Sequence, residues 1–418
     1  MHKRTFLKTL ALTGTTLPAF SMDEWMQQYV ALTPGDLAAD EDFWTVIRSG
    51  YRLKPDYINL ENGYYNFLPE KILDKYVQHI REVNYEGAYY MRTVQSDNKK
   101  KVTARLAGLA GCSPEELVIT RNTTESLDSI IAGFPWQAGD EAVMAHQDYG
   151  AMLDMFRQVA QRQGVVNKLI SVPAHPNNDE EIVQAYADAI TPRTKLLMVC
   201  HVINITGQVL PVRKICDMAH SKGVQVLVDG AHAFAQLNFK IPDLHCDYYG
   251  ASLHKWLSVP LGAGLLYVNK ERIFQNWPLF GPSTGEEKSL ARLNHTGTHP
   301  VATDLTILDA IDHYEMIGAE RKQARLLYLQ QYWTKQVRDL PKVIMNTPAA
   351  PERCCAIANM GIQNIKPSDL ATKLLQEHKI YTVAIDNPTA QVQGCRITPN
   401  LYTTTAELDV LVKAVGKF

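Results

Sequence analysis

The sequence is poor in the features that mark metal-binding, nucleic-acid-binding and membrane-spanning proteins. Its seven cysteines form no Cys-x-x-Cys pair and no Cys/His ligand spacing, so we predict no zinc site. The formal net charge of -2 gives no general electrostatic reason to bind nucleic acid or an anionic membrane. Beyond the N-terminus, no stretch is apolar enough to cross a bilayer. The whole chain has 418 residues, of which 46% are hydrophobic and 21% are charged. This length and composition are typical of a soluble globular enzyme with a large and a small domain.

The first 22 residues resemble an export signal. Lys3 and Arg4 precede an apolar stretch that ends at Pro18, which is the layout of a secretory signal peptide. The order "KRTFLK" is also similar to a twin-arginine signal, with lysine in place of the first arginine. We therefore expect residues 1–22 to direct the protein to the periplasm or outside the cell. An amphipathic N-terminal helix on a cytoplasmic protein is the alternative.

Helix-like and strand-like segments alternate from about residue 99 to about residue 268. The strand-like segments, such as "ELVIT", "TKLLMVCHV" and "VQVLVDG", are continuous apolar runs, as expected for parallel strands buried on both faces. After about residue 305, a long helical pattern precedes shorter strands and helices. We predict an α/β fold with a large domain over 66–305 and a small C-terminal domain over 306–418. Residues 23–65 form an N-terminal segment that joins the small domain.

Polar residues that follow the apolar runs are candidates for the functional site, because ligands bind beyond the carboxyl ends of strands in open α/β sheets. Thr123 and Thr124 open a helix after "ELVIT", where free N–H groups and the helix dipole favour phosphate. Simple helix capping is the alternative. Asp229 ends the run "VQVLVD", and a buried carboxylate there needs a cation or an N–H group as its partner. The partner is a cationic side chain in a structural salt bridge, a metal ion or a protonated ring nitrogen.

Lys255 lies in the apolar stretch "GASLHKWLSVPLGAGLLYV", shortly after Ser252 and beside His254. Burial lowers the pKa of a lysine, so such a lysine usually has a function, although its amine can also extend to solvent from a strand end. A phosphate cradle, a buried aspartate and a buried lysine at strand ends of one sheet are together what pyridoxal phosphate (PLP) requires. The lysine forms a Schiff base, and the aspartate keeps the pyridine nitrogen charged.

These motifs resemble those of the class V aminotransferase superfamily. "NTTES", "HVINITGQVLPV", "VLVDGAHA", "SLHKW" and "HTGTH" occur in the family's order, and "DYGA" and "LHKWL" are most similar to the isopenicillin N epimerase branch. The resemblance covers nearly all of the chain after the signal. It implies a PLP-dependent transferase fold of type I, with a mostly parallel seven-stranded sheet between helices and a smaller α+β C-terminal domain.

The resemblance also implies roles for residues at matching positions. Lys255 would bind the cofactor and move a proton at the substrate Cα, and Asp229 would pair with the pyridine nitrogen. The other implied cofactor contacts are Thr123, Thr124, Tyr149 on the ring face, His232 near the phenolic oxygen, Ser252, His254 and, from a second subunit, Gly297 and Thr298. Asn204 and Arg396 match the substrate carboxylate site, for which a planar guanidinium is well suited. A packed tyrosine at 149 and a surface or inter-domain salt bridge at 396 are the alternatives.

We therefore expect a homodimeric PLP enzyme that acts at the Cα of an amino acid or a peptide-like amine, as an epimerase or an aminotransferase. The position of the proton donors decides between these outcomes, and the sequence pattern does not give it. A Cα–Cβ or Cβ–X lyase, an enzyme that tailors a secreted peptide, and a non-catalytic binding module are the alternatives. Cysteine desulfurases carry a loop cysteine before the carboxylate arginine, and "IYTVAIDNPTAQ" has none. The pair Asp229 and Lys255 argues against a binding module. We expect no metal, no nucleic-acid partner and no stable membrane anchor.

Overall fold

The computed structural model describes residues 25–281 and 288–418, apart from residue 27. The expected export signal at residues 1–22 lies outside the described residues. Within the described ranges, no helix combines the length and the apolar character that crossing a bilayer requires.

The N-terminal segment contacts both domains. It contains helices α1 (Pro34–Ala38) and α2 (Glu41–Ser49) and the short strand β1 (Ile58–Asn59). The side chain of Asp40 accepts a hydrogen bond from the Phe43 N–H and caps α2. α2 then buries Phe43 and Trp44 in the core of the large domain. β1 pairs in parallel with residues 380–381, which belong to the small domain.

The large domain is built on seven strands: β2 (Leu117–Thr120), β3 (Glu141–Ala145), β4 (Val166–Ile170), β5 (Thr194–Cys200), β6 (Gln225–Asp229), β7 (Tyr248–Ser252) and β8 (Gly264–Val268). Their order in the sheet is β2-β8-β7-β6-β5-β3-β4. β8 runs antiparallel to both of its neighbours, and the other pairs are parallel. The expected mostly parallel seven-stranded sheet is therefore confirmed.

The helices of the large domain are α3 (Glu70–Glu86), α4 (Ala88–Thr93), α5 (Gln95–Ala110), α6 (Thr123–Gly133), α7 (Gly150–Gln163), α8 (Asp179–Ala189), α9 (Val212–Ser221) and α10 (Val301–Ile317). Short 3₁₀ helices span Pro114–Glu116, Ile241–Leu244 and Leu290–Leu293. Alternate side chains of β5 pack on opposite faces of the sheet, because successive side chains of a strand point to opposite sides. Leu196 and Met198 pack in a core with α6 and α7, whereas Leu197 and Val199 join the opposite core with α5, α8 and α9.

The small domain contains α11 (Ala319–Val337), β9 (Val343–Met345), β10 (Ala358–Ile362), α12 (Pro367–His378), β11 (Ile380–Tyr381), β12 (Val383–Asn387), β13 (Val392–Ile397) and α13 (Thr405–Val415). A 3₁₀ helix spans Pro351–Arg353. The antiparallel sheet β12-β13-β10-β9 packs against helices. This arrangement confirms the expected α+β character of the C-terminal domain.

One detail differs from the sequence prediction. The helical pattern over residues 305–338 is two helices, because Gly318 between α10 and α11 has a φ of +91°, which a helix cannot include. The domain boundary expected at 305–306 falls inside α10, which packs in the large core through Ile307 and Ile311. Leu329 and Trp333 of α11 pack in the core of the small domain. The change of domain therefore occurs within α11.

Candidate active site

A cavity of about 460 Å³ lies at the carboxyl ends of β5, β6 and β7, where the two domains and the N-terminal segment meet. Ten of the twelve residues predicted for the site line this cavity: Thr123, Thr124, Tyr149, Asn204, Asp229, His232, Ser252, His254, Lys255 and Arg396. These residues come from positions 123 to 396 of the chain, so the fold brings the sequence candidates together. Gly297 and Thr298 are exposed and do not line the cavity of their own chain.

The N-terminus of α6 forms one wall of the cavity. Asn122 caps the helix, since its side chain accepts a hydrogen bond from the Glu125 N–H at 2.9 Å. Thr123 and Thr124 are thus the first two helical residues and not the cap. The Thr123 N–H donates to the Ser252 Oγ at 2.8 Å, and the two hydroxyls are 2.7 Å apart. This cluster of hydroxyl and N–H groups at a helix N-terminus is suited to an anion.

The carboxylate of Asp229 lies at the end of β6 and is 5% exposed. Its Oδ1 accepts from the Ala231 N–H at 3.0 Å, and the Cys200 thiol is 3.9 Å from its Oδ2. Burial raises the pKa of Asp229, and the nearby Lys255 lowers it in part. Oδ2 therefore has no strong donor among the described residues and can accept a hydrogen bond from a ligand.

The amine of Lys255 lies 3.0 Å from the Nε2 of His232. Burial is the main cause that lowers the pKa of Lys255, to about 8. Burial also holds the pKa of His232 well below its ordinary value, so this imidazole is neutral. The Trp256 indole donates to its Nδ1 at 3.4 Å, which assigns the imidazole proton to Nε2. The Nε2–H can then donate to this amine when the amine is neutral. The apolar setting of Lys255 thus favours a nucleophilic amine near neutral pH.

Two further predicted residues sit beside this group. The Nδ1 of His254 is buried and finds no hydrogen-bond partner in the described part of the chain, and burial lowers the pKa of its imidazole to about 4. The backbone carbonyl of His254 accepts from the Asn66 N–H at 3.3 Å, which ties the lysine loop to the N-terminal segment. Tyr149 precedes α7 and is 47% exposed, with space beside its ring.

Arg396 lines the cavity and is also ion-paired. Its Nη2 is 2.6 Å from the Oε1 of Glu61, and its Nη1 donates to the backbone carbonyl of Asn204 at 3.2 Å. The guanidinium thus faces the cavity and forms a salt bridge between the C-terminal strand β13 and the N-terminal segment. The Oδ1 of Asn204 is buried and has no hydrogen-bond partner within the described ranges of the chain.

The sequence did not reveal several residues in or beside the cavity. Glu61, which lies beside the cavity and pairs with Arg396, follows β1 in "LENG", and an Asn-Gly pair indicates only a turn. Gly63 and Tyr64 of the same turn line the cavity beside Arg396. Cys200 lines it as the last residue of a strand whose burial was foreseen, but no sequence signal distinguishes that last residue from the others.

The residues around the cavity fit pyridoxal phosphate. The N-terminus of α6 offers hydroxyl and N–H donors for a phosphate. The Oδ2 of Asp229 can pair with a protonated ring nitrogen, and Lys255 supplies a neutral amine for an aldehyde. Two buried polar atoms of cavity residues, the Nδ1 of His254 and the Oδ1 of Asn204, have no hydrogen-bond partner among the residues that the structure describes. Buried polar groups are usually satisfied, so these atoms indicate a polar ligand.

Comparison with known proteins identifies the family. The model of the family "Aminotransferase class-V" matches residues 68–411. The chain belongs to this family. It is therefore a PLP-dependent enzyme, as the cavity residues also indicate.

Similar known proteins align with most of the chain. Isopenicillin N epimerase of Streptomyces clavuligerus is 26% identical over 89% of this chain and 97% of its own length. A probable cysteine desulfurase of Halobacterium salinarum is 28% identical over 87% of this chain and 91% of its own length. Among solved structures, a C-DES mutant with glycine covalently linked to its PLP cofactor matches with a TM-score of 0.80. It is 20% identical and covers 89% of this chain and 99% of its own, which shows a shared fold.

Proposed function

We propose that the protein acts at the Cα of an amino acid or a peptide-like amine, as an epimerase or an aminotransferase. The observation that carries this proposal is the position of Lys255, a half-buried lysine whose desolvated amine has a pKa of about 8, in one cavity with Asp229 and Arg396. These three groups suit the three parts of the chemistry: a proton at Cα, a pyridine nitrogen and a carboxylate.

The predicted residues that line the cavity would then have the following roles. The phosphate would be held at the N-terminus of α6 by Thr123, Thr124, Ser252 and His254. Asp229 would pair with the ring nitrogen, His232 would lie near the phenolic oxygen and Tyr149 would contact the ring face. The bound cofactor supplies an electron sink for the pair of electrons that a departing Cα proton leaves behind.

Side chains of the protein itself would transfer the proton and orient the substrate. The neutral Lys255 amine can accept the Cα proton and return it, and the Nε2–H of His232 orients this amine. Arg396 and Asn204 would fix the substrate carboxylate, so that the Cα–H bond is held in one direction.

A Cβ–X or Cα–Cβ lyase is the second candidate. The characterised relatives include cysteine desulfurases at 28% and 26% identity as well as the epimerases, and lyases share the loss of a group or proton at Cα. Against a desulfurase, residues 380–391 contain no cysteine. Cys200 is the only cysteine among the cavity-lining residues, and burial raises its pKa well above the ordinary value, which disfavours a reactive thiolate.

We propose that the active unit is a homodimer. Gly297 and Thr298 are exposed and lie outside the cavity of their own chain, so they are available to a second copy. At the mouth of the cavity, Tyr64 is 75% exposed and Leu261 is 57% exposed. Burial of such large apolar side chains by a second subunit would stabilise the dimer. We also propose export to the periplasm or the medium, which rests on residues 1–22 alone.

Exchange of the Cα proton with solvent tests the proposed reaction. The purified holoenzyme is incubated in deuterated water with a panel of L- and D-amino acids, and deuterium at Cα is measured by mass spectrometry and NMR. We expect exchange for a subset of the panel and none with Lys255→Ala. Inversion at Cα identifies an epimerase, a keto acid identifies an aminotransferase, and loss of the β-substituent identifies a lyase. Turnover without exchange at Cα contradicts the proposal.

A further inference from the structure

The two terminal nitrogens of Arg396 keep unused donors. A guanidinium has five N–H groups in a fixed planar fork. Glu61 accepts from Nη2 at 2.6 Å and from Nε at 3.4 Å, and the Asn204 carbonyl accepts from Nη1 at 3.2 Å. Three of the five donors are thus used, and two remain, one on each terminal nitrogen. Two parallel N–H groups are the arrangement that binds a carboxylate most strongly.

Glu61 holds the guanidinium from outside the cavity. Arg396, Asn204, Gly63 and Tyr64 line the cavity, and Glu61 does not. The Glu61 side chain is 7% exposed, and its Oε1 also accepts from the Tyr64 N–H at 2.9 Å. This carboxylate is therefore fixed by two independent donors before a substrate arrives.

Gly63 lets the guanidinium pack directly on the turn. A Cβ at this position would lie 2.6 Å from both the Cζ and the Nη2 of Arg396, which is closer than real Cβ contacts allow. The turn "LENG" thus supplies the acceptor for one edge of the guanidinium through Glu61. It also supplies the surface on which the guanidinium rests through Gly63.

We propose that Glu61 is a positioning residue that holds one edge of Arg396 so that the two remaining N–H groups face the α-carboxylate of the substrate. This inference rests on the proposed function, in which the substrate carries a free carboxylate. It predicts that carboxylate recognition depends on the geometry of the pair and not only on the charge of Arg396. The competing arrangement is a Glu61 that occupies the site of the carboxylate and must be displaced by it. The two arrangements predict opposite effects when Glu61 loses its charge.

The test uses two reagents that differ only in the carboxylate. In the holoenzyme, the H₂N–O group of aminooxyacetate or O-methylhydroxylamine would replace the Lys255 amine at the carbon of its Schiff base with the cofactor, which forms an oxime and releases the free Lys255 amine. Only aminooxyacetate carries a carboxylate. The ratio of their second-order rate constants, followed by the visible absorbance of the holoenzyme, reports carboxylate recognition without knowledge of the natural substrate.

The informative variant is Glu61→Gln, which keeps the shape of the side chain but offers a single acceptor oxygen. We expect the ratio to fall about 10-fold, as for the loss of one charge-assisted hydrogen bond, with an unchanged rate for O-methylhydroxylamine. Glu41→Gln is the matched control, because Glu41 also forms a 2.6 Å pair with a buried arginine, Arg325, but this arginine does not line the cavity. This control should leave the ratio unchanged.

The outcomes separate the inference from the function on which it rests. A ratio that stays the same or rises in Glu61→Gln overturns the positioning role, and so does an equal slowing of both reagents. A wild-type protein that reacts equally well with both reagents refutes the carboxylate site itself, and with it both proposals. If Glu61→Gln does not fold, Gly63→Ala tests the same geometry with no change of charge and should lower the ratio in the same way.

Discussion

The lowered pKa of Lys255 predicts how the rate of covalent cofactor attachment depends on pH. The amine attacks the cofactor aldehyde only when it is neutral. Burial lowers its pKa from 10.5 to about 8, with Asp229 acting in the opposite direction. The rate of covalent cofactor attachment should therefore rise about tenfold per pH unit below pH 8 and become constant above it.

The magnitude follows from the neutral fraction. At pH 7, an amine with a pKa of about 8 is neutral in roughly one molecule in ten. A lysine with the ordinary pKa of 10.5 is neutral in roughly one molecule in three thousand. The burial of Lys255 should thus accelerate attachment at pH 7 by about 300-fold over an exposed lysine of equal intrinsic reactivity.

In the assay, cofactor-free protein is mixed with pyridoxal phosphate at a series of pH values from about 6 to about 10, a range that extends to both sides of the Lys255 pKa. Absorbance gives the rate, and borohydride reduction followed by peptide mapping gives the site. Lys255→Ala should fold normally and yield no reduced adduct at this position. A rate that continues to rise through the whole range would refute the argument from burial, and an adduct in Lys255→Ala would assign the attachment to another lysine.

Three further predictions concern specificity, assembly and location. Arg396→Lys should lower kcat/KM by about 10- to 100-fold, since the paired N–H groups are lost while the charge is kept, and the spectrum of bound cofactor should stay the same; unchanged kinetics would remove the carboxylate role. Sedimentation of the active protein should give twice the chain mass of 47.0 kDa, and an active monomer would contradict the shared site around Gly297 and Thr298. Cell fractionation should find the protein shortened at its N-terminus and outside the cytoplasm, whereas a full-length cytoplasmic protein would exclude export.

The fold class could be predicted because its physical signals are local. β3, β7 and β8 are buried at every position, and such strands appear in the sequence as unbroken apolar runs between amphipathic helices. The break between α10 and α11 was missed because the apolar pattern continues across Gly318. A single glycine in a helical pattern is ambiguous, and only its positive φ in the folded chain shows that it ends the helix.

The cofactor side of the site could be predicted for a related reason. The carboxyl ends of parallel strands meet at one edge of a sheet, so residues that directly follow apolar runs lie near one another. Thr123, Asp229 and Lys255 each occupy such a position, and the structure places all three on one cavity. Their types, hydroxyl, carboxylate and amine, then limited the ligand to one with phosphate, a ring nitrogen and a carbonyl.

The part of the cavity around Arg396 could be predicted only in part, because its residues do not follow the apolar strands of the large sheet. Arg396 was found by resemblance, but its partner Glu61 is 335 residues away in a turn that follows a two-residue strand. Neither periodicity nor strand order relates a turn of the N-terminal segment to a strand of the small domain. The link is the parallel pairing of Ile58 with Ile380, which carries the turn into the small domain beside β13. A carboxylate that appears from the sequence to be an ordinary turn residue is thus brought, through one short strand pair, into a salt bridge with Arg396, the arginine for which we propose substrate binding.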